Sequence, residues 1–447
     1  MNLLRDDVKK LYFTFLASAL GSTLVTNIYS TVDFICVGQY AGPIGSAAIS
    51  CVNPFWPIML SLGFLFGMGG AVMLNNRRGA GEFHSSNEFF TLATILSLIS
   101  SAIIFFLFTI YAEPLLVFFG AEGEILAAAL EYIRPIAFIS PTFTLCATIS
   151  LFVRNDGEAA LPTVATVIGG VVNVFGDVFF VFDFGLGLGM LGAGLATALG
   201  QLVSFLIIVG YFLSKKCKLR FTKIKGFSKK LFKIISVGSA MFITELSFGV
   251  CSIVFNKIII KNLSADHLAV YGTASGVLIM FYCFFYALGG ALQPIVSANY
   301  GANDLTRAKK TLEIALVSSL VLGTLFALSV QLFPGFILKA FMDVTDNIMI
   351  IGPPILRIYC IHLPLVGICI VGYYYLQSVL RQKESFLITL LRGLILPLIL
   401  VFILPLAFGI DSIWWSVPIA ELMTLAVCVV LLFKKDKKEP DTLRDEL

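Results

Sequence analysis

Charged residues are scarce in this sequence. Of its 447 residues, 27 are Asp or Glu and 31 are Lys or Arg, so only 13% of the chain is charged. Soluble proteins carry about 25% charged and about 45–50% apolar residues, whereas this chain is 58% hydrophobic. A water-soluble fold of this length has too little interior for so many apolar side chains. The composition therefore predicts an integral membrane protein.

Motifs for catalysis, metal binding and nucleotide hydrolysis are also missing. His84, His267 and His362 share no regular spacing, and the nine cysteines form no CxxC pair. No GxxxxGK[ST] phosphate-binding loop occurs. We therefore expect no enzyme, no cofactor and no nucleic-acid partner. The energy for any transport must come from an ion gradient or from another protein.

Long apolar runs dominate the rest of the chain. A helix that spans a bilayer needs about 20 apolar residues. Twelve such runs lie near residues 11–37, 46–74, 88–112, 126–150, 159–183, 189–213, 232–260, 267–298, 311–334, 348–377, 384–407 and 411–433. The predicted fold is all-α and integral to the membrane, with twelve transmembrane helices.

Positive charge alternates between the predicted loops. Most of the 31 Lys and Arg residues fall near the N-terminus, in every second loop or after Phe433, while the intervening loops hold almost none. Because cytoplasmic loops carry the excess of Lys and Arg, this bias places both termini in the cytoplasm of a multi-pass protein of the cell membrane. We interpret the densest group, in 214–230, as a basic cytoplasmic linker that also contacts lipid headgroups.

The two halves of the sequence form an internal repeat. A Gly-Gly-Ala triplet stands at 69–71 in the second predicted helix of the first half, and again at 289–291 in the second helix of the second half. The sequence therefore predicts an N-lobe over 1–213 and a C-lobe over 231–447 that ends in a short basic tail. Because each half holds six spans, a pseudo-twofold axis along the membrane normal should relate the lobes, as in alternating-access transporters.

Acidic residues within the predicted spans of the N-lobe form a candidate site. An acid in the middle of a membrane costs at least ~2.5 kcal/mol, so such residues usually serve a function. Asp33 and Asp177 fall in the outer halves of the first and fifth helices, and Asn173 shares a helix face with Asp177. Thr197 in the sixth helix lies at a similar depth. We predict that these four side chains converge.

The chemistry of such a cluster favours a bound cation. Two carboxylates close together in a low dielectric cannot both stay charged unless a cation joins them. Asp33 and Asp177 would therefore share a proton or bind Na⁺, and Asn and Thr oxygens would complete the shell. The residues fit either Na⁺ or H⁺ as the coupling ion. The alternative is interhelical hydrogen bonding that only holds the helices together.

Three further charged residues lie within predicted spans of the C-lobe. Glu245 is in the seventh helix, Arg392 in the eleventh and Glu421 in the twelfth. Arg392 and Glu421 either neutralise each other or contribute to a cation or substrate site. Glu245 has no evident partner within its predicted lobe, which favours a role in binding a cation or a cationic drug.

Several motifs occur in the order that is typical of one family. They are Arg78-Gly-Ala-Gly81, Arg154-Asn-Asp-Gly157, Asn173-Val-Phe-Gly-Asp177, Gly192-Ala-Gly-Leu-Ala-Thr197 and Asn299-Tyr-Gly-Ala302. With these motifs the sequence resembles bacterial members of the multidrug and toxic compound extrusion (MATE) family over essentially its whole length. The resemblance implies drug–cation antiport by rocking of two six-helix lobes. It also implies that the four predicted N-lobe residues match the cation network of the family.

The resemblance is less complete in the second half. Glu245 matches an acid on helix 7 that one branch of the family uses, but that branch also has an acid on helix 10. Here residues 350–377 contain no Asp or Glu. Arg392 and the run that ends at Glu421 point to a different branch.

The leading functional hypothesis is a secondary active exporter of amphipathic organic cations, driven by Na⁺ or H⁺. We expect a monomer whose partners are small molecules and membrane lipid. The alternatives are a lipid-linked sugar flippase or a metabolite or organic-acid exporter of the same superfamily.

Overall fold

The computed structural model describes residues 3–341 and 345–434. All regular secondary structure among these residues is helical, as the composition predicts. The basic tail that the sequence predicts after Lys434 lies outside the described residues.

The chain divides into two compact units. The first holds Phe13–Arg77 and Glu82–Leu246; the second holds Leu3–Tyr12, Arg78–Gly81 and the chain from Ser247 onward. The predicted lobe boundaries at 213 and 231 stay a prediction, since α8 (Phe227–Asn262) begins in the first unit and ends in the second.

The first unit is built mainly from seven helices. They are α1 (Val8–Val52), α2 (Phe55–Gly79), α3 (Phe83–Ile110), α4 (Ala112–Phe118), α5 (Gly123–Asn155), α6 (Ala160–Val181) and α7 (Gly189–Gly210). The helix α1 runs through the junction that the sequence predicts between the first two spans. Its backbone breaks at Gly42, whose φ of 57° lies in the left-handed region that glycine favours.

The second unit contains the end of α8 and eight further helices. They are α9 (Ala265–Gly301), α10 (Leu305–Leu332), α11 (Pro334–Phe341), α12 (Asp346–Cys360), α13 (Leu363–Ser378), α14 (Gln382–Leu390), α15 (Leu396–Phe408) and α16 (Ser416–Phe433). The tenth predicted span is thus broken into α12 and α13 near His362, where Pro364 opens α13. The eleventh span contains a π-helical turn, Leu391–Ile395, between α14 and α15.

Eleven helical stretches among the described residues are long and apolar enough to cross a membrane. They correspond to the second through twelfth predicted spans, from Ala47–Gly79 to Ile410–Phe433. The first predicted span, 11–37, lies within α1, where several side chains are outside the described set. The predicted all-helical, multi-pass membrane fold is confirmed.

Small residues bring α6 and α7 into close contact. A Cβ atom added to Gly200 would lie 2.6 Å from the carbonyl oxygen of Gly169 and 2.9 Å from Cβ of Asn173. One added to Gly176 would lie 2.8 Å from Cβ of Ala196. Membrane helices associate through such small-residue contacts, because the lipid supplies no hydrophobic drive between them. The contact sets the polar face of α6 against α7.

The predicted linker is bound along its length to the first unit. The backbone amide of Lys218 donates to Asp156 Oδ2 at 2.8 Å, that of Thr222 to Thr91 Oγ1 at 3.0 Å, and that of Lys225 to a carboxylate oxygen of Glu88 at 3.0 Å. The segment therefore has a defined path, with most of its basic side chains exposed.

Candidate functional site

Asp33 and Asp177 meet inside the first unit. Asp33 comes from α1 and is 7% exposed, while Asp177 comes from α6 and is fully buried. Their carboxyl groups lie side by side, close enough to share a hydrogen bond once one of them carries a proton. The hydroxyl of Tyr132, on α5, donates a hydrogen bond of 2.6 Å to Asp33 Oδ2. The arrangement joins three helices through two acids and one phenol.

Asn173 and Thr197 complete this group, which we call the acidic cluster. Asn173 precedes Asp177 by one turn of α6, and its amide nitrogen donates to Thr197 Oγ1 on α7 at 3.2 Å. Thr197 also contacts the Tyr132 hydroxyl. The structure thus brings together all four side chains that the sequence predicts to converge; their role in cation coupling stays a prediction.

The acidic cluster contains several oxygen atoms without a hydrogen-bond partner. Among the described residues, nothing donates to Asp33 Oδ1, to Asn173 Oδ1 or to either carboxylate oxygen of Asp177. Buried acceptors are almost always satisfied in proteins, so these four atoms are available to a proton, a cation or a donor outside the described residues. A proton on one carboxyl group would give one of these oxygens a hydrogen-bond partner, and a small cation would coordinate more than one of them.

The acidic cluster offers oxygen ligands only. Within the described part of the chain, no three His, Cys, Asp or Glu side chains are grouped so that they could hold a metal ion. A cation here would rest on two carboxylates together with amide and hydroxyl oxygens. That donor set suits a hard cation and fits the predicted choice between Na⁺ and H⁺.

Tyr132 is the member of the acidic cluster that sequence reasoning missed. A tyrosine near the end of a predicted span is typical of the aromatic belt at the membrane interface, so its residue type gives no signal. The sequence signal that could have identified Tyr132 is its depth in the membrane, because it lies near the outer end of its predicted span, as Asp33 does. Close packing holds it in place, since an added Cβ on Gly194 of α7 would clash with the Tyr132 carbonyl oxygen.

The candidate residues of the second half are only partly brought together. Arg392 and Glu421 form a buried ion pair, with 2.6 Å between Nε and Oε1. Glu245 is half-buried on α8, in the part of that helix that belongs to the first unit. Among the described residues, none forms an ion pair or hydrogen bond with the Glu245 carboxylate. Whether these three residues bind a cation or a substrate stays a prediction.

The helical architecture and the spanning helices define a multi-pass membrane protein with buried acids inside its spans. The MatE family model matches residues 19–179 and 240–403. Because these segments cover well over half of the chain, it belongs to the MatE family, that of the MATE transporters.

Curated relatives agree with this assignment. The chain is 23% identical to the multidrug export protein MepA of Staphylococcus saprophyticus over 94% of its length and 92% of that protein. It is 24% identical to MepA of Staphylococcus aureus over the same shares of the two chains.

Solved structures confirm the fold. An outward-facing multidrug resistance MATE transporter of the MOP superfamily superposes with a TM-score of 0.88 at 21% identity, covering 96% of both chains. A MATE crystal structure in the bent conformation also gives 0.88 at 21% identity, covering 96% of this chain and 95% of the other. The predicted resemblance to the MATE family is confirmed.

Proposed function

We propose that this chain is a secondary active antiporter that exports amphipathic or cationic drugs in exchange for Na⁺ or H⁺ by alternating access. The observation that carries the proposal is the buried Asp33–Asp177 pair, whose adjacent carboxyl groups can share a proton or bind Na⁺. The MepA relatives are multidrug export proteins, which supports a drug as the cargo.

The electrostatics of the pair explain why exchange would be obligatory. With no cation present, two adjacent carboxylates repel each other in a low dielectric, so the empty site is unstable. A proton or Na⁺ from outside relieves that repulsion. Once the cation leaves toward the cytoplasm, the negative charge returns and favours a cationic drug. Cation and drug would thus bind in turn, and the oxygens of Asn173 and Thr197 beside the pair would add ligands for the cation.

The proposed setting is the cell membrane, with both termini in the cytoplasm and a monomer surrounded by lipid. The alternation of basic loops supports this orientation. An inward cation then supplies the driving force, since one charge that crosses ~100 mV releases about 2.3 kcal/mol. For a neutral drug that energy corresponds to a gradient of roughly fiftyfold. For a monovalent cationic drug, one-for-one exchange moves no net charge, so the concentration gradient of the coupling ion drives export.

The direct experiment is ethidium transport in proteoliposomes, with Na⁺ and pH gradients imposed separately. Transport driven only by Na⁺ would make the acidic cluster a Na⁺ site, and transport driven only by the pH gradient would make it a proton site. If neither gradient moves ethidium or another organic cation, the proposal is wrong. The result would then favour a lipid-linked sugar flippase or a metabolite or organic-acid exporter.

A further inference from the structure

A groove runs along the surface of the first unit between α5 and α7. Its volume is about 420 Å³, within the range of about 300–1,000 Å³ that is usual for sites that bind small molecules. All of the side chains that line it are apolar except that of Arg134, on α5. We call this site the α5–α7 groove. It combines a long apolar wall with one cation.

The helical repeat places the lining residues on one side of each helix. On α5, Phe138 follows Arg134 by four residues and Ile139 follows Pro135 by four, and residues four apart are neighbours on a helix surface. On α7, the lining leucines are spaced by four, four and three residues. They are Leu191, Leu195, Leu199 and Leu202. Two side-chain rows therefore form the two walls.

Small residues make the floor of the α5–α7 groove. A Cβ atom added to Gly194 would clash with the carbonyl oxygen of Tyr132, so the two backbones approach closely there. One turn further along α7, the small side chain of Ala198 is 6% exposed and also lines the groove. The larger side chains on either side of this contact leave the space that forms the groove.

The groove faces away from the acidic cluster. Arg134 follows Tyr132 by two residues, and Leu199 follows Thr197 by two; residues two apart on a helix point to different sides of it. Phe138 is 69% and Leu199 39% exposed. Exposed apolar side chains on a membrane-spanning helix match the apolar lipid tails around them. The occupant of this groove is therefore expected to come from the lipid phase.

Arg134 is an unusual residue for this surface. It is exposed, and it lies within the apolar span Gly123–Asn155. Among the described residues, no carboxylate forms an ion pair with Arg134: Glu131, one turn earlier, is exposed and does not line the groove. An unpaired cation within a span is costly, and such residues usually pair or serve a function. Arg134 is therefore available to an anion from outside the chain.

The dimensions of the groove fit one leaflet of a bilayer. In the predicted orientation α5 and α7 both begin at the outer face. Arg134 therefore points outward, because helical side chains lean toward the helix N-terminus and arginine extends toward the headgroups. Leu191 and Leu202 are about 16 Å apart along α7, roughly half of a hydrocarbon core of about 30 Å. The groove thus runs from the headgroup level to the middle of the membrane.

We infer that the α5–α7 groove binds an anionic phospholipid of the outer leaflet, with one acyl chain along the leucines of α7 and the phosphate on Arg134. A guanidinium binds phosphate oxygens through two parallel hydrogen bonds, a geometry that specifically suits this group. The site is distinct from the proposed path of drug and coupling ion, and its occupation does not depend on antiport.

Charge selects among the amphipathic molecules that could enter the groove. A cationic amphiphile is repelled by Arg134. A phosphatidylcholine brings a phosphate, but its own ammonium group neutralises that charge. A phosphatidylglycerol keeps its net negative charge, and one basic residue near a membrane surface then increases the affinity by about fivefold.

The test places a fluorescent reporter in the groove. Phe138→Trp keeps an aromatic ring at an exposed lining position, and brominated acyl chains quench tryptophan fluorescence on contact. The purified variant in detergent is titrated with brominated phosphatidylglycerol or with phosphatidylcholine that carries the same chains. The signal of unmodified protein, with its three tryptophans, is subtracted. We expect half-maximal quenching at about fivefold lower concentration of phosphatidylglycerol.

Three further variants show whether the preference belongs to this site. Arg134→Gln, added to Phe138→Trp, should remove the difference between the two lipids, whereas Arg134→Lys keeps the charge and should retain most of it. Phe402→Trp is the matched control: Phe402 is a 54% exposed phenylalanine on the spanning helix α15 and does not line the groove. It should show no preference. Arg134, Phe138 and Phe402 are all exposed, so these changes should leave the fold intact.

Three results would overturn the inference. One is equal quenching by both lipids, or stronger quenching by phosphatidylcholine, in Phe138→Trp. Another is a preference that survives Arg134→Gln. The third is the same preference in Phe402→Trp, which would reflect general attraction of the anionic lipid to the basic protein. Because the readout is lipid binding, a protein that transports no ethidium can still confirm the lipid site, and an active transporter can still lack it.

Discussion

The hydroxyl of Tyr132 donates a hydrogen bond of 2.6 Å to Asp33 Oδ2, and both side chains are almost fully buried, at 2% and 7% exposed. This bond connects α5 to the acid of α1 that lies beside Asp177. It occupies one oxygen of a carboxylate whose other oxygen accepts no hydrogen bond from the described residues. Tyr132 therefore competes with any cation for Asp33.

Tyr132→Phe should raise the apparent affinity for the coupling cation by about tenfold, because a hydrogen bond to a charged group contributes about 1.5–3 kcal/mol. The maximal transport rate should fall, since the more tightly held cation leaves more slowly. The measurement is ethidium transport as a function of Na⁺ or H⁺ concentration. Tyr211→Phe is the control, because it removes a similar 2.7 Å bond to Asp156 at the opposite end of α7 from the acidic cluster, 14 residues after Thr197. Unchanged cation dependence in Tyr132→Phe would contradict this role.

Replacing either acid of the pair should abolish coupled transport. Asp33→Asn and Asp177→Asn keep the size of the side chain but remove the charge that requires a cation. We expect each variant to be expressed and folded, because a neutral amide in this site relieves repulsion, while drug resistance falls to the level of cells without the protein. The control is Asp183→Asn, which changes an exposed acid after α6. Full resistance in Asp33→Asn would refute the site assignment.

The contact between α6 and α7 should be sensitive to one methyl group. Gly200→Ala places a Cβ 2.6 Å from the Gly169 carbonyl oxygen and 2.9 Å from Cβ of Asn173. Overpacking of this kind costs about 1–3 kcal/mol, so the thermal unfolding temperature in detergent should fall and coupling should weaken. Gly210→Ala, in the same helix, meets no atom within 4 Å and should leave both properties unchanged. Equal thermal stability of the two variants would argue against this close contact.

The linker should be released when Glu88 loses its charge. The Glu88 carboxylate is 4% exposed, lies 2.6 Å from Nζ of Lys230 and accepts from the Lys225 amide. Glu88→Gln should accelerate trypsin cleavage within 214–230 by about tenfold, since charge-assisted bonds contribute about 1.5–3 kcal/mol.

Glu158→Gln is the matched control for the linker. It removes the ion pair with Lys216, whose side chain is 71% exposed, and exposed pairs contribute about 0–1 kcal/mol. Its cleavage rate should stay within about twofold of the unmodified protein. Equal protection in both variants would mean that the linker is held by other contacts.

The sequence by itself determined the membrane environment, the all-helical class and the positions of the second through twelfth spans. It also determined that Asp33, Asn173, Asp177 and Thr197 converge. Each of these follows from local rules: a bilayer requires about 20 apolar residues per helix, and rise per residue gives the depth of a polar side chain along its own helix.

The tertiary structure alone decided the contacts across helices that the sequence left open or did not predict. Tyr132 joins the acidic cluster, Arg392 pairs with Glu421 beneath Tyr282, and the basic linker is tied to Glu88. Depth along a helix does not specify the rotation of that helix about its axis, and rotation is set by close contacts such as that of Gly200 with Gly169. For that reason residue type and spacing predicted the correct depth of the acids in the membrane, whereas helix packing determined which side chains they contact.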